Sequence, residues 1–313
     1  MTPHDETPLL VITGPTASGK TRRAVNVARH IGAEIVSADS RQIYRGMDIG
    51  TGKDIAEYGD VPFHMIDICD AGYRYNLFEY LRDASAACAD IASRGLTPLV
   101  CGGTGMYVEA LVNGLRLPEV PENPGLRKSL EGKTLDELTT ILAGMKTLHN
   151  TTDVDTAKRA IRAIEIQTWY AAHPDEAAQA STATARRRPA LIVGVDIDRD
   201  TRRERISARL SARITEGMTA EVQRLLDSGI PAENLIYYGL EYKYVTMHLI
   251  GQLTFHQMMH DLEIAIHQFA KRQMTWFRGM ERRGLHIHWL PATLSDDEFT
   301  AATTALWNDY LER

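Results

Sequence analysis

Cysteine is scarce in this sequence of 313 residues, and long apolar runs are missing. The three cysteines, Cys69, Cys88 and Cys101, include no CxxC pair, which excludes a disulfide framework and a cysteine-rich zinc site. No run reaches the ~20 apolar residues that a membrane-spanning helix needs. The first residues carry Asp5 and Glu6 and lead into an apolar run, unlike a signal or transit peptide. We therefore expect a cytoplasmic protein that does not contact a membrane.

An excess of positive charge is also missing, because the formal net charge is −6 at pH 7. This excludes a globally basic protein, although a local basic groove remains compatible with it. Hydrophobic residues make up 44% of the chain and charged residues 24%, a globular composition that argues against intrinsic disorder. The length suits one large domain or two modest ones.

The first third of the chain alternates short apolar runs with helical patterns. The apolar runs predict buried strands at residues 8–13, 33–37, 64–68 and 98–101, and the helical patterns lie at residues 20–31 and 77–93. A further core strand is predicted at residues 190–197. Apolar strands that alternate with helices indicate an α/β fold with a parallel sheet.

A proline-rich segment at residues 117–123 interrupts this alternation. Polar helical patterns follow it, with helices predicted at residues 135–143 and 153–170. We interpret residues 119–188 as a helical insertion domain and residues 1–118 with 189–313 as the α/β core. The last part of the core is predicted to be mostly helical, with one helix over residues 254–272 and a strand at residues 286–290.

Residues 14–21, GPTASGKT, match the phosphate-loop pattern G-x-x-x-x-G-K-[ST]. The motif follows a predicted strand and opens a predicted helix, where backbone amides and the helix N-terminus can surround a diphosphate or triphosphate. Lys20 supplies a positive charge, and the Thr21 hydroxyl can hold Mg²⁺. The motif does not say which phosphate compound binds.

Two further segments lie at the same predicted edge of the sheet. The strand that ends in Gly102 and Gly103 is followed by Thr104 and not by the metal-binding Asp that is usual in an ATPase. Asp39 follows the second strand, where it can be a metal ligand, a base or a helix cap.

Four motifs in order resemble the tRNA dimethylallyltransferase (tRNA isopentenyltransferase) family of the bacterial type. They are GPTASGKT, SADSRQIYRGMDIGTGK, GGTGMYVEAL and FAKRQMTWFRG. The resemblance implies a P-loop NTPase-like parallel sheet flanked by helices, with an inserted helical domain that faces tRNA. It also implies that the dimethylallyl group passes from dimethylallyl diphosphate to N6 of the adenosine 3′-adjacent to the anticodon, with Mg²⁺ and release of diphosphate.

The resemblance assigns the donor side of the reaction to a small set of residues. Asp39 is the expected general base, Thr104 helps to hold the reacting centre, and Lys20 stabilises the leaving group. The expected diphosphate-binding residues are Gly14, Pro15, Thr16, Ala17, Ser18, Gly19, Lys20, Thr21 and Arg209. Arg205 lies on the same basic helix face as Arg209, and a solvated helix face is the alternative interpretation for both.

The resemblance also implies which residues contact tRNA. They are Asp39, Ser40, Arg41, Gln42, Thr104, Arg127, Arg159, Arg162, Gly239, Glu241, Lys271, Arg272, Gln273, Trp276 and Arg278. Two alternatives stay open from the residues alone. Arg162 and Glu165 have the spacing of an intrahelical ion pair, and the aromatic residues near Lys271 have the spacing of a buried helix end.

Three other functions share parts of this pattern. A prenyltransferase that acts on a free adenine nucleotide would need the same donor site but no RNA-binding arginines. A P-loop small-molecule kinase would share the phosphate loop and a carboxylate base. A P-loop RNA-binding switch would modify nothing. We expect an enzyme that binds the tRNA anticodon stem-loop and works as a monomer.

Overall fold

The computed structural model describes residues 7–115, 117, 119–148, 152–176, 178 and 187–313. The chain divides into two compact units. Met1–Gly114 and Arg187–Arg313 form one, here called the core unit, and Leu115–Arg186 form the other, the inserted unit. Within the described residues, no helix is both long enough and apolar enough to span a bilayer.

A six-stranded parallel sheet forms the centre of the core unit, as the sequence predicts. Its strand order is β4-β2-β6-β1-β7-β8, and β3 pairs with β5 in a separate two-stranded parallel sheet. The strands are β1 (Leu9–Thr13), β2 (Ala33–Ser37), β3 (Tyr44–Arg45), β4 (Phe63–His64), β5 (Cys69–Asp70), β6 (Thr97–Gly102), β7 (Ala190–Asp196) and β8 (Ile287–Pro291). Because β2, β6 and β1 are neighbours, the loops after their carboxyl ends meet at one edge.

The helices of the first half of the core unit follow the strands closely. They are α1 (Lys20–Ile31), α2 (Leu77–Ser93) and α3 (Gly105–Val112), with a 3₁₀ turn at Ile55–Glu57. A capping box starts α2, because the Asn76 side chain accepts from the Glu79 amide and the Glu79 side chain accepts from the Asn76 amide. The predicted bounds of α1 and α2 are confirmed.

Among the described residues of the inserted unit, three helices pack on one another. They are α4 (Pro124–Leu130), α5 (Leu135–Met145) and α6 (Ala157–Ala172), with a 3₁₀ turn at Thr152–Val154. Leu130, Leu138, Leu142 and Ile164 form its apolar centre. The side-chain caps at Asn123, Thr134 and Thr156 each add about 1 kcal/mol to the stability of these helices.

The second half of the core unit is mostly helical. Its helices are α7 (Arg199–Glu216), α8 (Met218–Asp227), α9 (Ala232–Tyr237), α10 (Leu240–Leu249), α11 (Phe255–Arg282) and α12 (Asp296–Leu311). The Arg23 side chain of α1 is buried and donates to the carbonyl oxygens of Ala292 and Leu294, each at 2.9 Å. This contact ties α1 to the segment between β8 and α12.

Three predicted elements differ from the structure by more than two residues at one end. The strand predicted over residues 64–68 ends at His64, because Met65 and Asp67 take positive φ angles of 66° and 55°, which extended chains do not allow. The helix predicted over residues 254–272 continues to Arg282, since no proline interrupts it and Gly279 is tolerated within it. The second helix of the insertion begins at Ala157, after the Thr156 cap.

A buried carboxylate of β2, that of Glu34, binds Arg94 and His64, and we expect this contact to make the stability of the protein sensitive to acid. Glu34 accepts hydrogen bonds from both terminal nitrogens of Arg94 and lies 2.7 Å from the His64 Nε2 atom. Hydrogen bonding from Arg94 holds the pKa of Glu34 at about 2, below its ordinary value of 4.5, and His64 acts in the same direction.

Because the folded pKa lies below the unfolded one, this stabilisation is complete above pH 4.5 and is lost as the pH falls towards 2. Arg94 is partly exposed, so we expect about 2 kcal/mol from this contact. Urea unfolding at several pH values should show a shallower loss of stability below pH 4.5 in Glu34→Gln than in the wild type. Equal pH slopes in the two proteins would contradict the assignment.

Candidate active site

A cavity of about 700 Å³ opens at the carboxyl edge of the sheet, within the core unit. The loops after β1, β2 and β6 line one side of it. Residues of α7, α10 and α11 line the other side, among them Arg209, Glu241 and Trp276. The cavity therefore collects residues that are far apart in the sequence, from Thr16 to Trp276.

The phosphate loop, residues 14–21, connects β1 to α1. Gly19 is the N-cap of α1 in the left-handed region, at φ 80°, and Ala17 lies at φ 62°. The N-cap residue has no side chain, so no side-chain cap covers the first amides of α1. The buried Ser18 Oγ atom also has no hydrogen-bond partner within the described residues. Uncapped amides at a helix N-terminus are donors suited to an anion.

Lys20 lies at the start of α1 and lines the cavity. Burial lowers the pKa of the Lys20 ammonium; Asp39 opposes this change, while Arg209 adds to it. A cation that has lost water and lies close to another cation favours a bound anion. Thr16, Ala17, Gly19 and Thr21 line the cavity with Lys20, whereas Gly14, Pro15 and Ser18 do not.

Asp39 lies two residues after the end of β2 and is half-buried in the cavity wall. Its Oδ1 atom accepts a hydrogen bond from the Arg41 amide at 2.9 Å. No hydrogen bond among the described residues involves its Oδ2 atom. The side chain thus stabilises its own loop with one oxygen and has the other available as an acceptor.

Thr104 joins the loop after β6 to the loop after β2. Its Oγ1 atom accepts from the Ser40 amide at 3.0 Å, and its amide donates to the Ala38 carbonyl at 3.1 Å. The Thr104 hydroxyl is also 3.3 Å from the Ser40 hydroxyl. Thr104 therefore holds the Asp39–Ser40 segment in place, which the sequence did not indicate.

Two glutamines in the cavity wall each use the side-chain amide both as a hydrogen-bond donor and as an acceptor. Gln42 donates to the Gly52 carbonyl at 3.0 Å and accepts from the Ser37 hydroxyl at 3.1 Å. Gln273 accepts from the Thr16 amide and donates to the Gly103 carbonyl, each at 2.8 Å. In the free protein Gln273 therefore ties α11 to the phosphate loop. Its contact with tRNA stays a prediction.

Three arginines of α7 line the cavity: Arg205, Arg209 and Arg213. Arg209 Nη2 lies 3.9 Å from Asp54 Oδ2, and Arg213 Nη1 lies 3.7 Å from Glu241 Oε1. Burial raises the pKa of the Glu241 carboxyl, and Arg209 opposes this change. The sequence motifs assign no role to Arg213, although its spacing of four residues from Arg209 places it on the same helix face.

Residues 48–52, here called the 48–52 loop, form part of the cavity wall, and a buried carboxylate outside the cavity binds this loop. Glu221 of α8 accepts from the amides of Asp48, Ile49 and Gly50 at 2.8–3.0 Å, and from the Tyr242 hydroxyl. Gly50 and Gly52 of this loop line the cavity. Sequence reasoning missed Glu221, because a single acid on an amphipathic helix carries no distinctive signal.

The rim of the cavity carries exposed apolar side chains beside cations. Met106, Phe269 and Trp276 are about two-fifths exposed, and the Arg272 guanidinium lies over the Phe269 ring. Apolar surface next to positive charge suits an extruded base or a prenyl chain. Lys271 and Arg278 are exposed on α11 but do not line the cavity, and Gly239 precedes α10 next to Arg41.

The predicted RNA-binding arginines of the inserted unit form ion pairs in the free protein. Arg127 donates two hydrogen bonds of 3.0 Å to the buried Glu165 carboxylate. Arg162 also donates to Glu165, so the intrahelical pair left open from the sequence is present. Arg159 pairs with Asp155 on the exposed surface. Their contacts with RNA stay predictions.

Comparisons with known proteins cover almost the whole chain. The model of the IPP transferase family matches residues 42–280, and that of isopentenyl transferase matches residues 7–58. The chain is 55% identical to tRNA dimethylallyltransferase 1 of Parabacteroides distasonis, over 97% of this chain and 98% of the relative. It is 58% identical to tRNA dimethylallyltransferase 1 of Porphyromonas gingivalis, over 96% and 99%.

A solved structure agrees with these sequence matches. The tRNA delta(2)-isopentenylpyrophosphate transferase of Staphylococcus epidermidis superimposes with a TM-score of 0.70 at 29% identity, over 97% of this chain and 99% of the other. The two sequence relatives are each more than half identical to this chain over nearly its full length, and the solved structure shares its fold. The chain therefore belongs to the IPP transferase family, whose members include the tRNA dimethylallyltransferases.

Proposed function

We propose that the protein transfers the dimethylallyl group of dimethylallyl diphosphate to N6 of the adenosine 3′-adjacent to the anticodon in tRNA. Diphosphate is released. The observation that carries this proposal is the single cavity in which the carboxylate of Asp39 lies together with the phosphate loop and the cations of Lys20 and Arg209. A base and a phosphate site in one cavity are what such an alkyl transfer requires.

In the proposed reaction the adenine N6 atom attacks the first carbon of the prenyl group. The carbon–oxygen bond to the diphosphate breaks, and its electron pair leaves with the diphosphate. The exocyclic amine is a poor nucleophile, so Asp39 accepts its proton as the new bond forms. Lys20, Arg209 and the amides of the phosphate loop stabilise the charge that develops on the leaving group.

We propose Mg²⁺ as the metal of this reaction. Within the described residues, no group of three or more His, Cys, Asp or Glu side chains could hold a metal ion. Mg²⁺ is often held by substrate phosphates, water and few protein ligands, and Thr21, whose hydroxyl would be such a ligand, lines the cavity. When bound, the metal would neutralise diphosphate charge.

The target adenosine must leave the anticodon stack to reach Asp39, at a cost of a few kcal/mol. We propose that Ser40, Arg41 and Gln42 contact the extruded base and that Trp276 packs against it. Phosphates of the anticodon stem-loop would then meet two groups of cations, one on each unit. The group on the core unit is Lys271, Arg272 and Arg278. The group on the inserted unit, which we propose to face tRNA, is Arg127, Arg159 and Arg162.

Incubation with radiolabelled dimethylallyl diphosphate, Mg²⁺ and either unmodified tRNA or ATP tests the proposal. We expect label in tRNA alone. Label in the nucleotide would indicate the nucleotide-prenylating function. If neither acceptor takes label while a known enzyme modifies the same tRNA preparation, the proposal is wrong.

Arg159, which is exposed on the inserted unit, offers a test of the acceptor side. Arg159→Gln should weaken tRNA binding several-fold at low salt and reduce the slope of log Kd against log salt by about 1, because one phosphate contact is lost. Filter binding over a salt series measures both quantities. Arg224→Gln, an exposed arginine of α8, is the matched control. Equal salt slopes in wild type and Arg159→Gln would argue against this contact.

We also propose that the protein acts in the cytoplasm as a monomer. Its three cysteines are free, which suits a reducing compartment. Size-exclusion chromatography with light scattering would measure the oligomeric state.

A further inference from the structure

Two guanidinium groups converge on one point of the cavity wall. A Cβ atom built on Gly52 would lie 1.5 Å from the Nη2 atom of Arg213 and 2.0 Å from the Nη2 atom of Arg209. The two Nη2 atoms are therefore close neighbours. They pack against the backbone of Gly52, where any larger residue would clash with both. Two like charges at such a distance repel each other unless an anion lies between or beside them.

The carboxylates nearby do not supply that anion at hydrogen-bond distance. Asp54 lies 3.9 Å from Arg209, and Glu241 lies 3.7 Å from Arg213. Arg213 is 8% exposed, and its Nη2 atom has no hydrogen-bond partner within the described residues. A buried guanidinium with an unused donor costs stability in the free protein and indicates a missing acceptor.

The position of the pair indicates which acceptor is missing. Thr16 and Ala17 of the phosphate loop line a small recess together with Arg209, Arg213 and Glu241. A phosphate held by the amides of this loop can therefore reach the arginine pair. A terminal phosphate fits, because its three free oxygens can bind more than one guanidinium. A phosphate within an RNA chain carries a ribose on each side, which hinders access to a nine-tenths-buried arginine.

We propose that Arg213 is a further phosphate-binding residue, which together with Arg209 holds the terminal phosphate of the prenyl donor. This inference rests on the proposed function. Glu221 orients the pair indirectly, because it fixes the 48–52 loop, and the Gly50 carbonyl of that loop accepts from Arg213 Nη1 at 3.4 Å. Release of diphosphate then leaves two arginines that repel each other, so the same pair favours binding of the next donor.

Calorimetric titration of the full chain with inorganic diphosphate tests the inference without any acceptor. Arg213→Gln should raise the Kd for diphosphate at least ~10-fold, because a charge-assisted contact is lost. Arg213→Lys should raise the Kd by less, since it keeps the charge but loses the planar fork. Arg203→Gln, an exposed arginine on the same helix, is the matched control and should leave the Kd unchanged.

Thermal unfolding separates this role from a structural one. Without ligand, Arg213→Gln should melt at the wild-type temperature or above it, because a buried charge is removed. The rise in Tm that saturating diphosphate causes in the wild type should shrink in the variant. A lower Tm without ligand together with an unchanged Kd would overturn the proposal. If Arg213→Gln does not fold, Arg213→Lys decides by the same two measurements.

Steady-state kinetics distinguishes the two possible sources of phosphate. We expect a higher KM for dimethylallyl diphosphate and an unchanged KM for tRNA in Arg213→Gln. A higher KM for tRNA alone would assign the arginine to a phosphate of the acceptor and overturn the inference. A wild type that binds diphosphate through Arg213 but prenylates no tRNA would refute the proposed function and leave Arg213 as a phosphate-binding residue.

Discussion

Replacement of Asp39 by Asn should lower kcat by ~10²–10⁴-fold, the range that a positioned general base supplies. Asn has the same shape, and its Oδ1 atom can still accept the hydrogen bond that Asp39 takes from the Arg41 amide. The loop after β2 should therefore keep its conformation, so the KM values for donor and tRNA should change little. Only the ability to accept the proton of the adenine amine is lost.

Single-turnover assays with saturating tRNA and donor measure this effect without interference from product release. Asp54→Asn is a suitable control, since Asp54 also lines the cavity but has no part in the proposed proton transfer. It should keep most of the activity. Turnover near the wild-type rate in Asp39→Asn would remove Asp39 from the role of base. A loss of tRNA affinity in place of kcat would indicate recognition of the adenine.

The second large effect is expected at Glu221, which lies outside the cavity. Its carboxylate accepts from three backbone amides of the 48–52 loop and from the Tyr242 hydroxyl. In Glu221→Gln one acceptor oxygen becomes an NH₂ donor that faces other donors. Because these groups are buried, we expect the free energy of unfolding to fall by about 2–4 kcal/mol. The KM for the donor should also rise, because the loop orients Arg213.

Urea unfolding of the variant at pH 7 measures the first effect, and donor titration measures the second. Tyr242→Phe is the matched control, because it removes one of the four donors and leaves the carboxylate in place. We expect it to cost about 1–2 kcal/mol. If Glu221→Gln is as stable as the wild type, the three amides find other partners and the carboxylate does not hold the loop.

Much of the fold could be predicted because local patterns agree with tertiary packing. The apolar run before Gly14 forms β1, whose five residues are all buried, and the phosphate-loop pattern lies between this strand and α1. Where local conformation departs from the pattern, the prediction failed. Residues 64–68 are apolar enough for a strand, but the positive φ angles of Met65 and Asp67 end it, and side-chain periodicity does not report backbone angles.

The sequence by itself determined the family, the parallel α/β core and the identity of the phosphate loop, because short motifs with fixed spacing carry that information. It also placed Asp39 and Thr104 at one edge, since the carboxyl ends of neighbouring parallel strands meet there. Only the tertiary structure decided what Glu221 and Arg213 contact. Glu221 meets amides more than 170 residues away, and Arg213 meets Gly52 on another element. Packing of distant segments sets such contacts, and no local pattern encodes them.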